Sequence, residues 1–138
     1  MAARLTGMAA LRVDAHPHWP SESAFQRDVV ALARDLGWGM TIRAAKELAE
    51  QAGQYGVEAP PLDGLIYHPR YSLGSEPGWP DLVLLRRRDS RALFRELKLD
   101  QGKVSPRQGE VLELLGAVGL DVGIWRPRDW LRIQEELL

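Results

Sequence analysis

Two acids and a lysine interrupt the most apolar stretches of this chain. Asp81 stands directly before Leu82-Val83-Leu84-Leu85, and Glu96 and Lys98 lie within Phe94-Arg95-Glu96-Leu97-Lys98-Leu99. Both stretches read as strands, over 82–85 and 92–99, with the polar residues 86–91 as the turn between them. Side chains alternate along a strand, so Phe94, Glu96 and Lys98 share one face, and Arg95 and Leu97 point to the other. A six-residue turn sets Leu85 opposite Ala92, and counting outward sets Asp81 opposite Glu96. A turn shifted by two residues sets Asp81 opposite Lys98 instead, and the three side chains still share a face. A bulge would break this parity.

Directly opposed residues bring their Cβ atoms to within about 5 Å. Two carboxylates that close repel unless a divalent cation sits between them. Oxygen ligands favour a hard ion, Mg²⁺ or Mn²⁺. Such an ion polarises a phosphoryl oxygen and acidifies a water, and a neighbouring lysine holds that water or steadies a phosphate oxygen. These are the parts of a phosphodiester hydrolase. An E-x-K triplet alone is common on solvated strands, where it forms a surface salt bridge worth little. Its neighbours there are polar. Here they are Leu, Val and Phe, among which a charge is costly unless it is paired or metal-bound.

The elements that must position these residues follow from periodicity and punctuation. Ser21 can cap a helix over 21–36, whose Phe25, Val29, Leu32 and Leu36 fall on one face. A second helix is expected over 41–52, from Thr41 through Ile42, Ala45, Leu48 and Ala49. A short strand is expected at 65–67, then a Gly/Pro/Ser loop at 69–80. Ser105-Pro106 opens a helix to about 118, with Val111, Leu112 and Leu115 inward and Gly119 as its stop. A strand follows at 122–125, and Pro127 starts a last helix with Trp130, Ile133 and Leu137 as its apolar stripe. The order predicts an α/β domain, a small mixed sheet flanked by helices. Residues 1–20 read as a flexible arm, and the His16-x-His18 pair within it as incidental rather than a metal site.

The chain has 138 residues, 45% of them hydrophobic and 27% charged, which fits one ordinary domain at 21–138. Without cysteine there are no disulfides, thiolate nucleophiles or Cys-ligated zinc. No apolar run suits a membrane span or a signal peptide, so a cytoplasmic protein without membrane contact is expected. The net charge of −1 argues against a generally basic nucleic-acid binder. The charge is uneven, however. Arg86, Arg87, Arg88, Lys103 and Arg107 fall in one stretch, and a local basic stripe can bind phosphates on a neutral protein.

Taken together, several ordered motifs resemble the VRR-NUC branch of the PD-(D/E)xK nucleases. They are Gly78-Trp79-Pro80-Asp81-Leu82-Val83-Leu84, Phe94-Arg95-Glu96-Leu97-Lys98, Gly102-Lys103-Val104-Ser105-Pro106-Arg107-Gln108 and Val122-Gly123-Ile124-Trp125-Arg126-Pro127. Upstream, Ser21-Glu22-Ser23-Ala24-Phe25-Gln26, Gly37-Trp38 and Tyr67-His68 also fit, so the likeness covers about 21–38 and 65–138. The resemblance implies a restriction-endonuclease-like core. It implies Asp81, Glu96 and the Leu97 carbonyl as metal ligands, Lys98 as the catalytic lysine, Glu22 as a further metal or water ligand, and Gln108 as a supporting group. Ordinary alternatives exist: Glu22 as a first-turn acid favoured by the helix dipole, Gln108 as a first-turn polar residue, and His68 as a packing histidine. The family likeness further implies a bacterial or phage-encoded homodimer that cuts branched DNA, such as four-way junctions or flaps, with no small-molecule cofactor. Residues 39–64 have no counterpart in compact members and read as a helical insert. A non-cleaving DNA-binding module of the same fold, or a regulatory protein that uses the insert as an interaction surface, are the competing expectations.

Overall fold

The computed structural model describes residues 18–68 and 76–138. The elements run α1 (Glu22–Asp35), α2 (Ile42–Gln54), β1 (Gly64–Tyr67), β2 (Leu82–Arg86), β3 (Arg91–Leu97), α3 (Pro106–Ala117), β4 (Asp121–Trp125), a 3₁₀ turn (Pro127–Asp129) and α4 (Trp130–Leu137). The strands form one mixed sheet in the order β1-β2-β3-β4. The first three are antiparallel, and β3 pairs with β4 in parallel. A parallel neighbour needs a crossover, and α3 supplies it. The domain is therefore α/β, a small mixed sheet flanked by helices, as its sequence predicts.

The hairpin register is the expected one. Leu85 pairs with Ala92 and Leu82 with Arg95. The turn is tighter than expected, because Arg86 and Arg91 pair as well and leave only 87–90 outside the strands. Ser90 takes a left-handed conformation, φ 54°, to close it.

The two faces of the sheet differ. Leu82, Leu84, Leu93, Leu97 and Trp125 pack on one face against Phe25, Val29 and Leu32 of α1 and Trp130, Ile133 and Leu137 of α4. This is the main core. Ser21 Oγ accepts the Ala24 N–H at 3.1 Å and so fixes where α1 starts. The other face is only partly covered. α3 reaches Val122 through Gly116 and buries Leu115, whereas Val111 and Leu112 stay half-exposed. Leu65, Tyr67 and Leu85 remain open to solvent.

One expectation needs correction. The flexible arm does not extend to residue 20. Trp19 is buried, its ring 5.0 Å from that of Trp130, and its Nε1 donates to Asp28 at 2.8 Å. Residues 1–17, with His16, lie outside the described residues, as does 69–75 of the expected loop; His18 is exposed. The second helix forms where expected, with Thr41 as its cap. It contributes little to the core, however. Ala52 is its one buried residue, and Ile42 is 91% exposed. Among the described residues no helix is long and apolar enough to cross a membrane.

Candidate active site at the open end of the hairpin

Asp81, Glu96, Lys98 and Gln108 converge where β2 begins and β3 ends. The register that pairs Leu82 with Arg95 brings Asp81 beside Glu96 and Leu97. Asp81 is fixed there: its Oδ2 accepts the Leu97 N–H at 2.8 Å. The approach to Asp81 is shaped by Gly78. Its φ of +85° and the Arg107 carbonyl, 2.8 Å from where a Cβ would stand, exclude any larger residue. Trp79 then lies edge-on to Phe94, with ring centroids 6.1 Å apart, and closes one side of the site.

Glu96 is the centre of the cluster. It is 1% exposed, although it carries a carboxyl group. Its Oε1 accepts from Gln108 Nε2 at 3.0 Å and faces Lys98 Nζ at 3.7 Å. Its Oε2 is buried and has no hydrogen-bond partner among the described residues. Burial is the main cause that pushes its pKa up to about 8. The neighbouring Asp81 carboxyl adds to the rise, and so does Glu22 through space; Lys98 opposes them. A carboxyl held protonated in this way, with an orphaned oxygen and a second acid beside it, is costly for the fold. Such perturbed groups concentrate at functional sites.

Gln108 serves two purposes at once. The Ser105 side chain caps α3 by accepting the Gln108 N–H at 3.2 Å, and Gln108 Oε1 accepts the Ser105 N–H at 2.9 Å in return. That reciprocal cap orients the amide so that Nε2 points at Glu96. Gln108 is thus a first-turn cap and a hydrogen-bond donor to Glu96 together.

The donor set suits a hard divalent cation. Two acids lie together, and one has an oxygen without a partner among the described residues. Among the described residues, no group of three or more His, Cys, Asp or Glu side chains gathers as a metal site. Glu22 thus does not join Asp81 and Glu96 as a third close carboxylate. It is exposed in the first turn of α1, and only its charge reaches Glu96. His68 is half-buried and directly follows β1.

The expected basic stripe is not assembled at the acids. Arg86 is removed from solvent altogether, at 2% exposure. Its Nη1 donates to the Leu36 and Leu137 carbonyls at 2.9 and 3.0 Å, its Nη2 to Leu138 at 3.1 Å, and its guanidinium binds Asp89. It stacks 4.2 Å from the Trp38 ring centroid. Arg86 therefore caps the C-terminal ends of α1 and α4 and is unavailable to phosphate. Arg87 and Arg88 are exposed at the hairpin tip, where they donate to Leu62 and Leu36 carbonyls. The tip lies at the far end of β3, roughly 17 Å from Glu96 at the usual strand rise. Arg107 is nearer but is engaged with Glu76, Glu110 and the Pro77 carbonyl. Lys103 is exposed on the turn between β3 and α3.

Two arginines carry structural contacts that the sequence does not announce. Arg95, on the core face of β3, is buried against Asp121 at 2.8 Å and Glu136 at 3.8 Å. Arg126 donates into the turn after Lys98. Its position immediately after an apolar strand was the one available signal.

Neither a family model nor a curated protein matches this chain. A solved structure described as a "VRR_NUC domain protein" is 20% identical, covers 72% of this chain and 92% of its own, and superposes with a TM-score of 0.42. Likeness at that level leaves the reading of this site to its own geometry.

Proposed function

We propose that the protein is a metal-dependent DNA endonuclease of the PD-(D/E)xK type that hydrolyses phosphodiester bonds at the Asp81–Glu96–Lys98 cluster. The observation that carries this reading is Glu96. It is buried beside a second acid, its pKa is pushed up to about 8, and its Oε2 has no partner among the described residues. Asp81 and Glu96, with the Leu97 carbonyl, are the groups that would hold Mg²⁺ or Mn²⁺. Such an ion, when bound, polarises the phosphodiester and acidifies water. The chain's own residues do the rest. The Leu97 N–H keeps Asp81 in place, and Gln108 orients Glu96. Lys98, whose Nζ is 3.7 Å from Glu96, supplies a cation that holds the attacking water or steadies a phosphate oxygen. Glu22, at the mouth of the site, orders solvent there.

Lys103 and the tip residues Arg87 and Arg88 are the exposed cations left to meet the DNA backbone away from the cut. The branched DNA implied by the resemblance is the proposed substrate. The same resemblance implies a homodimer. The exposed Met40, Ile42, Tyr55, Val57 and Leu62 of the insert give an apolar surface for a second copy. Sedimentation of wild type and Ile42→Glu tests that part: a wild-type monomer would remove it.

The activity is tested with labelled linear duplex, single strand, flap and four-way junction, each with Mg²⁺, Mn²⁺ or EDTA. Metal-dependent cutting that vanishes in Asp81→Ala supports the reading. Cutting retained in that variant refutes the assignment. Binding that survives EDTA, without cutting under either metal, favours a non-cleaving DNA-binding module instead.

A further inference from the structure

The turn at 98–104 joins β3 to α3. It therefore joins Lys98 to the cap that orients Gln108, the two groups that address Glu96 Oε1 at 3.7 and 3.0 Å. The turn is neither helix nor strand, so its own backbone does little to fix it. One internal bond, Gly102 N–H to the Leu99 carbonyl at 2.9 Å, tightens it. A Cβ at Gly102 would stand 3.2 Å from that same carbonyl, so the chain is closely folded there.

What fixes the turn comes from another part of the chain. Arg126 Nη1 donates to the Leu99 carbonyl at 2.7 Å and to the Gly102 carbonyl at 2.7 Å, with the Asp100 carbonyl at 3.5 Å. A single nitrogen thus gathers three carbonyls of the turn, the two close ones at Leu99 and Gly102. The neighbouring Arg128 N–H donates to Asp100 Oδ1 at 3.0 Å. Arg126 is itself anchored. It follows Trp125, whose carbonyl accepts the Lys98 N–H at 3.1 Å, and its own N–H donates to Asp129 Oδ2 at 2.9 Å. Charged hydrogen bonds to carbonyls are strong enough to order a short turn. The parallel pairing of β3 with β4 brings Arg126 to this place, and no local sequence pattern does.

We propose that Arg126 is a positioning residue for the site. It fixes the turn so that Lys98 and Gln108 meet Glu96 together, and it touches neither the metal nor the DNA. Its consequence for turnover rests on the nuclease reading above; its consequence for the geometry does not.

The test compares Arg126→Met, Arg126→Gln and Arg126→Lys with wild type. Met keeps the aliphatic stem and removes the donors. Lys keeps one cationic nitrogen, and one nitrogen makes all three contacts. The first readout is solvent exchange of the Gln108 side-chain amide by NMR, assigned by its loss in Gln108→Glu. In Arg126→Met that amide and the Gly102 N–H exchange about tenfold faster or more, while the amides of α1 and α4 hold their rates. Arg126→Lys restores part of the protection. The second readout is steady-state cleavage of whichever DNA wild type cuts. There kcat falls about ten- to a hundredfold with KM unchanged, and Lys again restores part of it.

Unchanged Gln108 exchange in Arg126→Met overturns the proposal. So does acceleration spread evenly through α1 and α4, which marks a merely structural role. If Arg126→Met does not fold, the Gln and Lys variants carry the same comparison. If wild type cuts no DNA but the exchange pattern holds, the positioning role stands and the nuclease reading fails.

Discussion

The two ends of one hairpin treat buried charge in opposite ways. At the tip, Arg86 is desolvated, and four acceptors answer it: three main-chain carbonyls and Asp89. At the open end, Glu96 is as deeply buried, yet one oxygen has no partner among the described residues and the nearest charge includes a second acid. Both ends lie on the same two strands, in the same register. The difference lies in what each end is for. Charges fully answered within the chain hold helices to the sheet. A buried acid crowded by a second acid lowers stability, and such groups concentrate at functional sites.

The contrast is broken most severely by removing an acid from the open end. Asp81→Ala is expected to reduce cleavage about a thousandfold or more, the scale seen when a group that stabilises developing charge is lost. Circular dichroism should show the fold intact. The converse change is made at the tip. Arg86→Met removes a charged donor from the Leu36, Leu137 and Leu138 carbonyls and the nearest cation from Asp89, and should cost about 3 kcal/mol of stability. Chemical denaturation would read this; a loss under about 1 kcal/mol would mean that the tip is not the structural end.

A smaller effect sharpens the comparison at Glu96. An acid whose pKa is raised in the fold loses stability as pH climbs. The unfolded chain ionises Glu96 near its ordinary value of 4.5, and the folded chain only near about 8. Between those values the folded state binds the extra proton, so without metal stability falls by up to about 1.4 kcal/mol per pH unit from this group alone. Glu96→Gln removes that slope and should be more stable than wild type at pH 8, although inactive. Equal slopes in urea unfolding across pH 5–8 would contradict the assignment. The smallest effect belongs to Arg87, exposed at the tip. Arg87→Ala should leave stability within about 0.5 kcal/mol of wild type. It should weaken DNA binding without changing the rate of a bound complex, as separate titration and single-turnover measurements would show.

What was legible in the sequence is what depends on short-range period and punctuation. The alternation of β3, the hairpin register and the Ser105–Gln108 cap all follow from residues close together in the chain. The alternation and the register place Asp81, Glu96 and Lys98 on one face, whereas Gln108 beside them was implied by the family resemblance alone. Partners distant in sequence were not legible. The arginine run at 86–88 reads as a phosphate-binding stripe because nothing nearby reveals that Arg86 meets carbonyls some 50 residues away, at Leu36 and Leu137. Trp19 read as part of an arm because Trp130, which holds it, belongs to the last helix. Arg126 was visible as a residue but not as a clamp, since the parallel pairing of β3 with β4 creates its contacts. The helix at α2 was predictable from its cap and apolar residues, but that pattern does not say whether its face meets the core. Here most of it does not.

The most direct test of the central claim needs no substrate. The unfolding temperature is measured at pH 8 in Mn²⁺ and in EDTA, for wild type and for Glu96→Gln. A ligand that binds only the folded state raises its stability with concentration. If the open end is built to hold a divalent cation, Mn²⁺ raises the unfolding temperature of wild type. Glu96→Gln then starts higher in EDTA and barely responds to the ion. A wild type indifferent to Mn²⁺, or a Glu96→Gln variant that gains as much from it, would contradict the account.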